Sequence, residues 1–210
     1  MINKKIILEC NYNAVLEQLI IAEHGEHNIL VYPNESTFRD IYSGYCKTMF
    51  ENNDNINSNN GGIHDEIVIL IPSYETVNGV KFTLDKRTGI NPEKYEKDGS
   101  LFVVDSLKAY SYNQSSKYEY NIFSLFKSIL KHAESIGKKG ISVISSMNSF
   151  YQFERVAELL HYEQSLPQET DLKCKAFCSY HKNNYDMISQ KQKEDLSEHH
   201  YRTLMVKPYL

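Results

Sequence analysis

His27-Asn28-Ile29-Leu30-Val31-Tyr32-Pro33-Asn34-Glu35-Ser36-Thr37-Phe38 is the stretch on which the reading of the whole chain turns. Four apolar or aromatic residues in a row, Ile29 to Tyr32, are too few for a helix and fit a buried strand that Pro33-Asn34 stops. Asn34 is a good N-cap for the next segment, where Phe38, Ile41, Tyr42, Tyr45 and Met49 recur at helical spacing over roughly 35–50. A strand running into a capped helix begins the open α/β folds that bind ligands at the strand's carboxyl end.

The same alternation continues outward. Glu66-Ile67-Val68-Ile69-Leu70-Ile71 reads as a strand stopped by Pro72, and a helix through Val77, Val80 and Leu84 follows. Leu101 to Asp105 is a strand entered from Asp98-Gly99. A Tyr-rich connection (Tyr110, Tyr112, Tyr118, Tyr120) leads to the clearest helix, with Ile122, Leu125, Phe126, Ile129, Leu130, Ala133 and Ile136 on one side, ended by Gly137 and Gly140. Strands are expected at 141–144 and 174–180. Between them runs a helix carrying Phe150, Phe153, Val156, Ala157, Leu160 and Tyr162-Glu163. A polar helix from about Met187 to His200 precedes a short closing strand at Leu204-Met205-Val206. Strands alternating with helices predict a three-layer α/β/α domain with a mainly parallel central sheet. Residues 1–23 read as an N-terminal strand/helix extension, 24–210 as one domain, and 51–64 as a mobile, Asn-rich surface loop within it.

Composition narrows the function. At 41% hydrophobic, 24% charged and net charge −4, the chain has no basic cluster to grip nucleic acid. The apolar run Ile6-Ile7-Leu8 is too short for a signal peptide, and no run is long enough to span a bilayer. Cys10, Cys46, Cys174 and Cys178 are too sparse for a disulfide scaffold, which points to a reduced cytoplasmic setting. Sixteen tyrosines and no tryptophan are a bias that suits a pocket of apolar rings with polar tips.

A phosphate loop needs glycines whose N–H groups cradle the phosphates, then Lys and Ser/Thr. Pro33-Asn34-Glu35-Ser36-Thr37 has no glycine or lysine and sets a carboxylate where phosphate would lie. Val103-Val104-Asp105-Ser106 looks like the magnesium-binding strand end of an ATPase, but by order the strand ending Ile144-Ser145-Ser146 is the better counterpart. A metal could use Cys178 and His181 with His199 or His200. Zinc sites usually show two spaced ligand pairs, whereas Cys174 and Cys178 lie along one strand, so no metal and no cofactor are expected. No Gly-x-Ser-x-Gly elbow is present, and Cys178 is commoner as a small buried hydrophobe than as a nucleophile. What remains is a set of polar groups at strand ends that should converge on the carboxyl edge as a binding site: Tyr32, Asn34, Tyr74, Glu75, Asp105, Ser145, Cys178 and Tyr180.

Other motifs carry a resemblance. His27-x-x-x-x-Tyr32, Gly99-x-Leu101, Leu159-Leu160-His161-Tyr162-Glu163, Cys178-Ser179-Tyr180 and a final His199 or His200 together resemble the MEDS domain, a sensory domain named for methanogen and methylotroph proteins and a dichloromethane-responsive regulator. The resemblance runs from about residue 24 to 206. It implies a RecA/KaiC-like fold without its nucleotide motifs, sensing of small hydrocarbon derivatives, and relay to a kinase or DNA-binding partner. The positions it carries over are His27, Tyr32, Tyr162, Glu163, Cys178, Tyr180 and His200. This sequence departs from the family's Arg and Gly-Glu around the fourth strand, where Ser142 to Met147 offers serines. His27 begins its strand and His200 ends a helix, so both are expected at the amino edge, as structural or ligand groups.

Together these readings predict a non-enzymatic, cytoplasmic sensory module that binds a small organic ligand without contacting nucleic acid or membrane. With no output domain expected after residue 206, the signal would pass to a separate histidine kinase or transcription regulator, or through a homo-oligomer. The alternative is a degenerate nucleotide-binding protein or weak NTPase using Glu75 and Asp105.

Overall fold

The computed structural model of the chain describes residues 6–54, 65–111, 121–165 and 172–208. Seven strands form one sheet: β1 (Ile6–Cys10), β2 (His27–Tyr32), β3 (Glu66–Ile71), β4 (Leu101–Val103), β5 (Gly140–Ser146), β6 (Cys174–His181) and β7 (Arg202–Val206). Their order is β1-β7-β2-β6-β5-β3-β4, and every pairing is parallel. The sheet is therefore the parallel one expected. Every residue of β2, β3 and β5 is buried, which explains why they read as unbroken apolar runs.

Helices cover both faces. Leu30, Tyr32, Val68, Leu70, Ile144 and Phe177 point to a layer built of α1 (Tyr12–Ile21), α2 (Glu35–Asp54), α3 (Val77–Thr88) and α4 (Pro92–Lys97). Ile29, Val31, Ile67, Ile69, Val143, Cys178 and Tyr180 point to the other. That second layer holds α5 (Ser106–Ala109), α6 (Asn121–Ser135), α7 (Asn148–Gln152), α8 (Val156–Ser165), α9 (Lys182–Met187) and α10 (Gln190–Glu198). Alternation along each strand divides the core in two, as the pleat requires.

Several boundaries differ from expectation. The N-terminal segment forms a strand and a helix, with β1 paired to β7 and Val15 and Leu19 of α1 fully buried in the first core. α2 runs to Asp54, while the rest of the Asn-rich segment, 55–64, lies outside the described residues, as do Tyr112, Tyr118 and Tyr120. The helix expected through Phe150 and Leu160 is two helices, because Glu154 adopts φ 55° between them. The polar helix expected from about Met187 to His200 is α10, started by a capping box at Ser189, and the short α9 before it was not expected. The sequence reading also missed α4, capped by Asn91 with Pro92 in its first turn. Among the described residues no helix is long and apolar enough to cross a membrane.

Candidate functional site

The bend after β2 is occupied by its own side chains. Asn34 Oδ1 accepts the Thr37 N–H at 2.9 Å and the Thr37 hydroxyl at 3.2 Å, capping α2. The helix amide that would face a bound phosphate is thus already taken, and Glu35 adds a negative charge to the first turn.

The neighbouring carboxyl edge is similarly filled. Glu75 pairs with Arg39 and accepts the Tyr42 hydroxyl at 3.0 Å, while Arg39 lies over the Tyr74 ring, 5.3 Å from its centroid. Tyr32 stacks on Phe38 at 4.5 Å and accepts a 2.6 Å hydrogen bond from Asn148. Asn148 Oδ1 in turn accepts from the His181 N–H and from Asn184. Ser73 and Ser146 share a hydrogen bond of 2.6 Å. Asp105 caps α5 by accepting the Lys108 N–H at 3.1 Å. A cavity between Phe38, Tyr42, Ile71 and Val80 measures about 10 Å³, room for a water at most. A larger concavity, about 450 Å³, lies on the surface beside Lys81, Phe82 and Asn91 and is lined by none of the expected site residues.

The eight residues expected to converge do not form one group. Tyr32, Asn34, Tyr74, Glu75 and Asp105 lie at the carboxyl edge. Ser145, Cys178 and Tyr180 lie deeper; Ser145 pairs in register with Cys178, and Cys178 and Tyr180 belong to the opposite face of the sheet from Tyr32. Side-chain alternation is the reason, since strand ends share an edge but their side chains need not share a face.

On that second face the structure brings together residues far apart in sequence. His27 opens β2, Cys178 sits mid-strand in β6 two rungs along, Glu163 projects from α8, and His200 follows α10. All four are buried, Glu163 completely. His27 Nε2 is 3.0 Å from Cys178 Sγ and 3.5 Å from Glu163 Oε2; His200 Nε2 is 3.4 Å from the same oxygen. The two imidazoles are close neighbours, with centroids 3.9 Å apart. His27 Nδ1 donates to the His199 carbonyl at 3.2 Å and His200 Nδ1 to the Leu196 carbonyl at 2.6 Å, so each ring turns Nε2 to the centre. The Tyr180 hydroxyl donates to Glu163 Oε1. Tyr162 stays beside the site, its ring against Tyr110 and Phe150.

Burial sets the protonation states. Desolvation, helped by the field of His200, pushes His27 down to about 3, so it is neutral. Burial raises the Cys178 thiol and Tyr180 phenol well above their ordinary values, and Glu163 adds to both; both keep their protons. Burial also raises Glu163, but the facing His200 and His27 and the bond from Tyr180 outweigh it and hold the carboxyl below its usual range. The centre is therefore an ionised, fully buried carboxylate ringed by imidazole nitrogens and a thiol.

His181, considered with Cys178 as a ligand pair, is elsewhere: it caps α9, accepting the Asn183 N–H at 3.2 Å. The combination of Glu163 with His27 was not legible from spacing, because 136 residues separate them by number (163 − 27) and only the fold closes that distance. At the amino edge a second polar cluster also went unread. The buried Lys175 ammonium pairs with Glu66 at 3.2 Å and donates to the Ile20 carbonyl, and His24 faces Glu66 at 2.8 Å.

No family model matches the chain, and no curated protein matches it in sequence. Among solved structures the chain is similar to a KaiC-like protein from the hyperthermophilic archaeon Pyrococcus horikoshii OT3, at 13% identity and a TM-score of 0.54. The likeness covers 89% of this chain and 75% of that one. Together with the seven-stranded parallel sheet, it shows that the fold is RecA/KaiC-like.

Proposed function

We propose that this chain is a non-enzymatic sensory module of the MEDS type, built on a KaiC-like fold and centred on the buried His27–Glu163–Cys178–His200 group. One observation carries the reading: of the seven positions that the motif resemblance carries over, His27, Glu163, Cys178, Tyr180 and His200 meet in one place between β2, β6, α8 and α10, with Tyr162 packed beside them and Tyr32 on the other face of the sheet. Motifs scattered along a chain gain weight when a fold gathers them without using them at a surface. The bend at residues 33–37, with its Asn34 cap and Glu35 carboxylate, gives no support to triphosphate chemistry.

In this reading a small organic molecule favours one of two packings of α8 and α10 over the second core, and a separate kinase or transcription regulator reads the difference. A thermal-shift screen of small alcohols, amines, halomethanes and nucleotides tests it. An organic ligand should raise the midpoint of the wild-type protein and do so less for Tyr180→Phe, while ATP with magnesium leaves both unmoved. Micromolar ATP binding that disappears in a Glu75→Ala, Asp105→Ala double variant would replace the sensor with a nucleotide-binding protein.

A further inference from the structure

We infer that His27, Glu163, Cys178 and His200 form a closed, four-ligand site for a zinc-class divalent transition metal. This rests on reading the same buried centre as the functional site. One donor atom from each residue lies within 4.8 Å of every other. Tetrahedral donors around zinc, with bonds of about 2.0–2.3 Å, stand roughly 3.3–3.8 Å apart. Three separations here are 3.0, 3.5 and 3.4 Å and none exceeds 4.8 Å, so seating an ion asks for shifts of about 1 Å.

The supporting contacts are those a metal site needs. Each imidazole is fixed through Nδ1 to a backbone carbonyl, so that Nε2 faces inward as a ligating histidine does. Tyr180 holds the outer oxygen of Glu163, and the inner oxygen, Oε2, is wholly buried and receives no hydrogen bond. A fully buried carboxylate oxygen facing two imidazole nitrogens, at 3.5 and 3.4 Å, is placed to take a cation.

Two neutral imidazoles, one carboxylate and one thiolate sum to −2, which a divalent ion neutralises inside the core. Binding breaks the Cys178 S–H bond, forms an Sγ–metal bond and releases the proton to solvent, with no change of oxidation state. The mixed nitrogen, oxygen and sulfur set favours zinc or cobalt over magnesium or calcium. With all four positions filled by protein, the ion would tie α8 and the end of α10 to β2 and β6.

The full chain, stripped with chelator and checked for folding by circular dichroism, is titrated with zinc and with cobalt. The inference predicts one ion per chain, tetrahedral cobalt bands, and a near-ultraviolet thiolate-to-cobalt band that zinc bleaches. Cys178→Ser should lose that band and bind cobalt at least about 100-fold more weakly, since even supporting residues cost about 10–100-fold. If that variant does not fold, a Cys10→Ser, Cys46→Ser, Cys174→Ser variant that keeps only Cys178 must retain the band. Folded protein that takes up neither ion, or a thiolate band that survives Cys178→Ser, overturns the inference. Metal uptake without any small-molecule response would leave this site standing and remove the sensory reading. A small-molecule response in protein that binds no metal would do the reverse.

Discussion

Replacing Tyr180 with Phe removes one hydroxyl and leaves the ring, so the buried site keeps its volume and opens no cavity. What is lost is the donor to Glu163 Oε1, a hydrogen bond to an ionised group that is fully buried in the second core. Because burial and Glu163 hold the Tyr180 phenol well above its ordinary value, it keeps its proton and donates at neutral pH. Bonds to charged groups contribute about 1.5–3 kcal/mol, and the abandoned carboxylate oxygen belongs to a fully buried side chain. At about 2–4 °C per kcal/mol for a domain of this size, the melting midpoint should fall by roughly 3–12 °C. Urea unfolding of chelator-treated wild type and variant measures the loss apart from any metal. A double-mutant cycle with Glu163→Gln isolates the pair, since a neutral amide acceptor reduces the bond to about 0.5–1.5 kcal/mol. A loss below about 0.5 kcal/mol, with no coupling to Glu163, would refute the picture of an ionised carboxylate held by Tyr180.

Three further substitutions probe the frame around the site. Glu66→Gln strands the buried Lys175 ammonium with the Ile20 carbonyl and an amide, and should cost about 3–5 kcal/mol in denaturant unfolding. Asn34→Ala removes the cap of α2 and should lower stability by about 1 kcal/mol without creating ATP binding, as calorimetry with magnesium and ATP would show. Gly140→Ala would set a methyl 2.3 Å from the Lys173 carbonyl and 2.8 Å from His24, so strand β5 must shift; a stability loss of about 1–3 kcal/mol is expected by thermal melting.

The parallel sheet was legible because its inner strands are buried on both sides. Runs such as Ile67-Val68-Ile69-Leu70-Ile71 carry no alternation and admit few other readings. Asn34 was equally readable, since a cap acts within three residues. Gly99 shows how a motif can be seen before its cause: its φ of 78° and the His132 ring, 2.3 Å from where a Cβ would stand, leave space for glycine alone.

The site was legible only as a set of names. His27 does open β2 and His200 lies just beyond α10, but the expected strand start and helix end suggested an edge remote from Cys178. Register decides otherwise, because His27 and Cys178 occupy the same face of adjacent strands, and α10 returns His200 over them. Conversely, strand-end polar groups such as Tyr74 and Glu75 looked like a pocket, yet Arg39, a helix residue four positions after Glu35, fills it. Neither outcome follows from spacing, since both depend on which face a side chain meets after the chain has folded.

Zinc-edge X-ray absorption on the loaded full-length chain tests the buried centre most directly. The account predicts one sulfur at about 2.3 Å and a shell of nitrogen and oxygen at about 2.0–2.2 Å, with the sulfur lost in Cys178→Ser. A zinc shell of nitrogen and oxygen alone in the wild-type protein would contradict it.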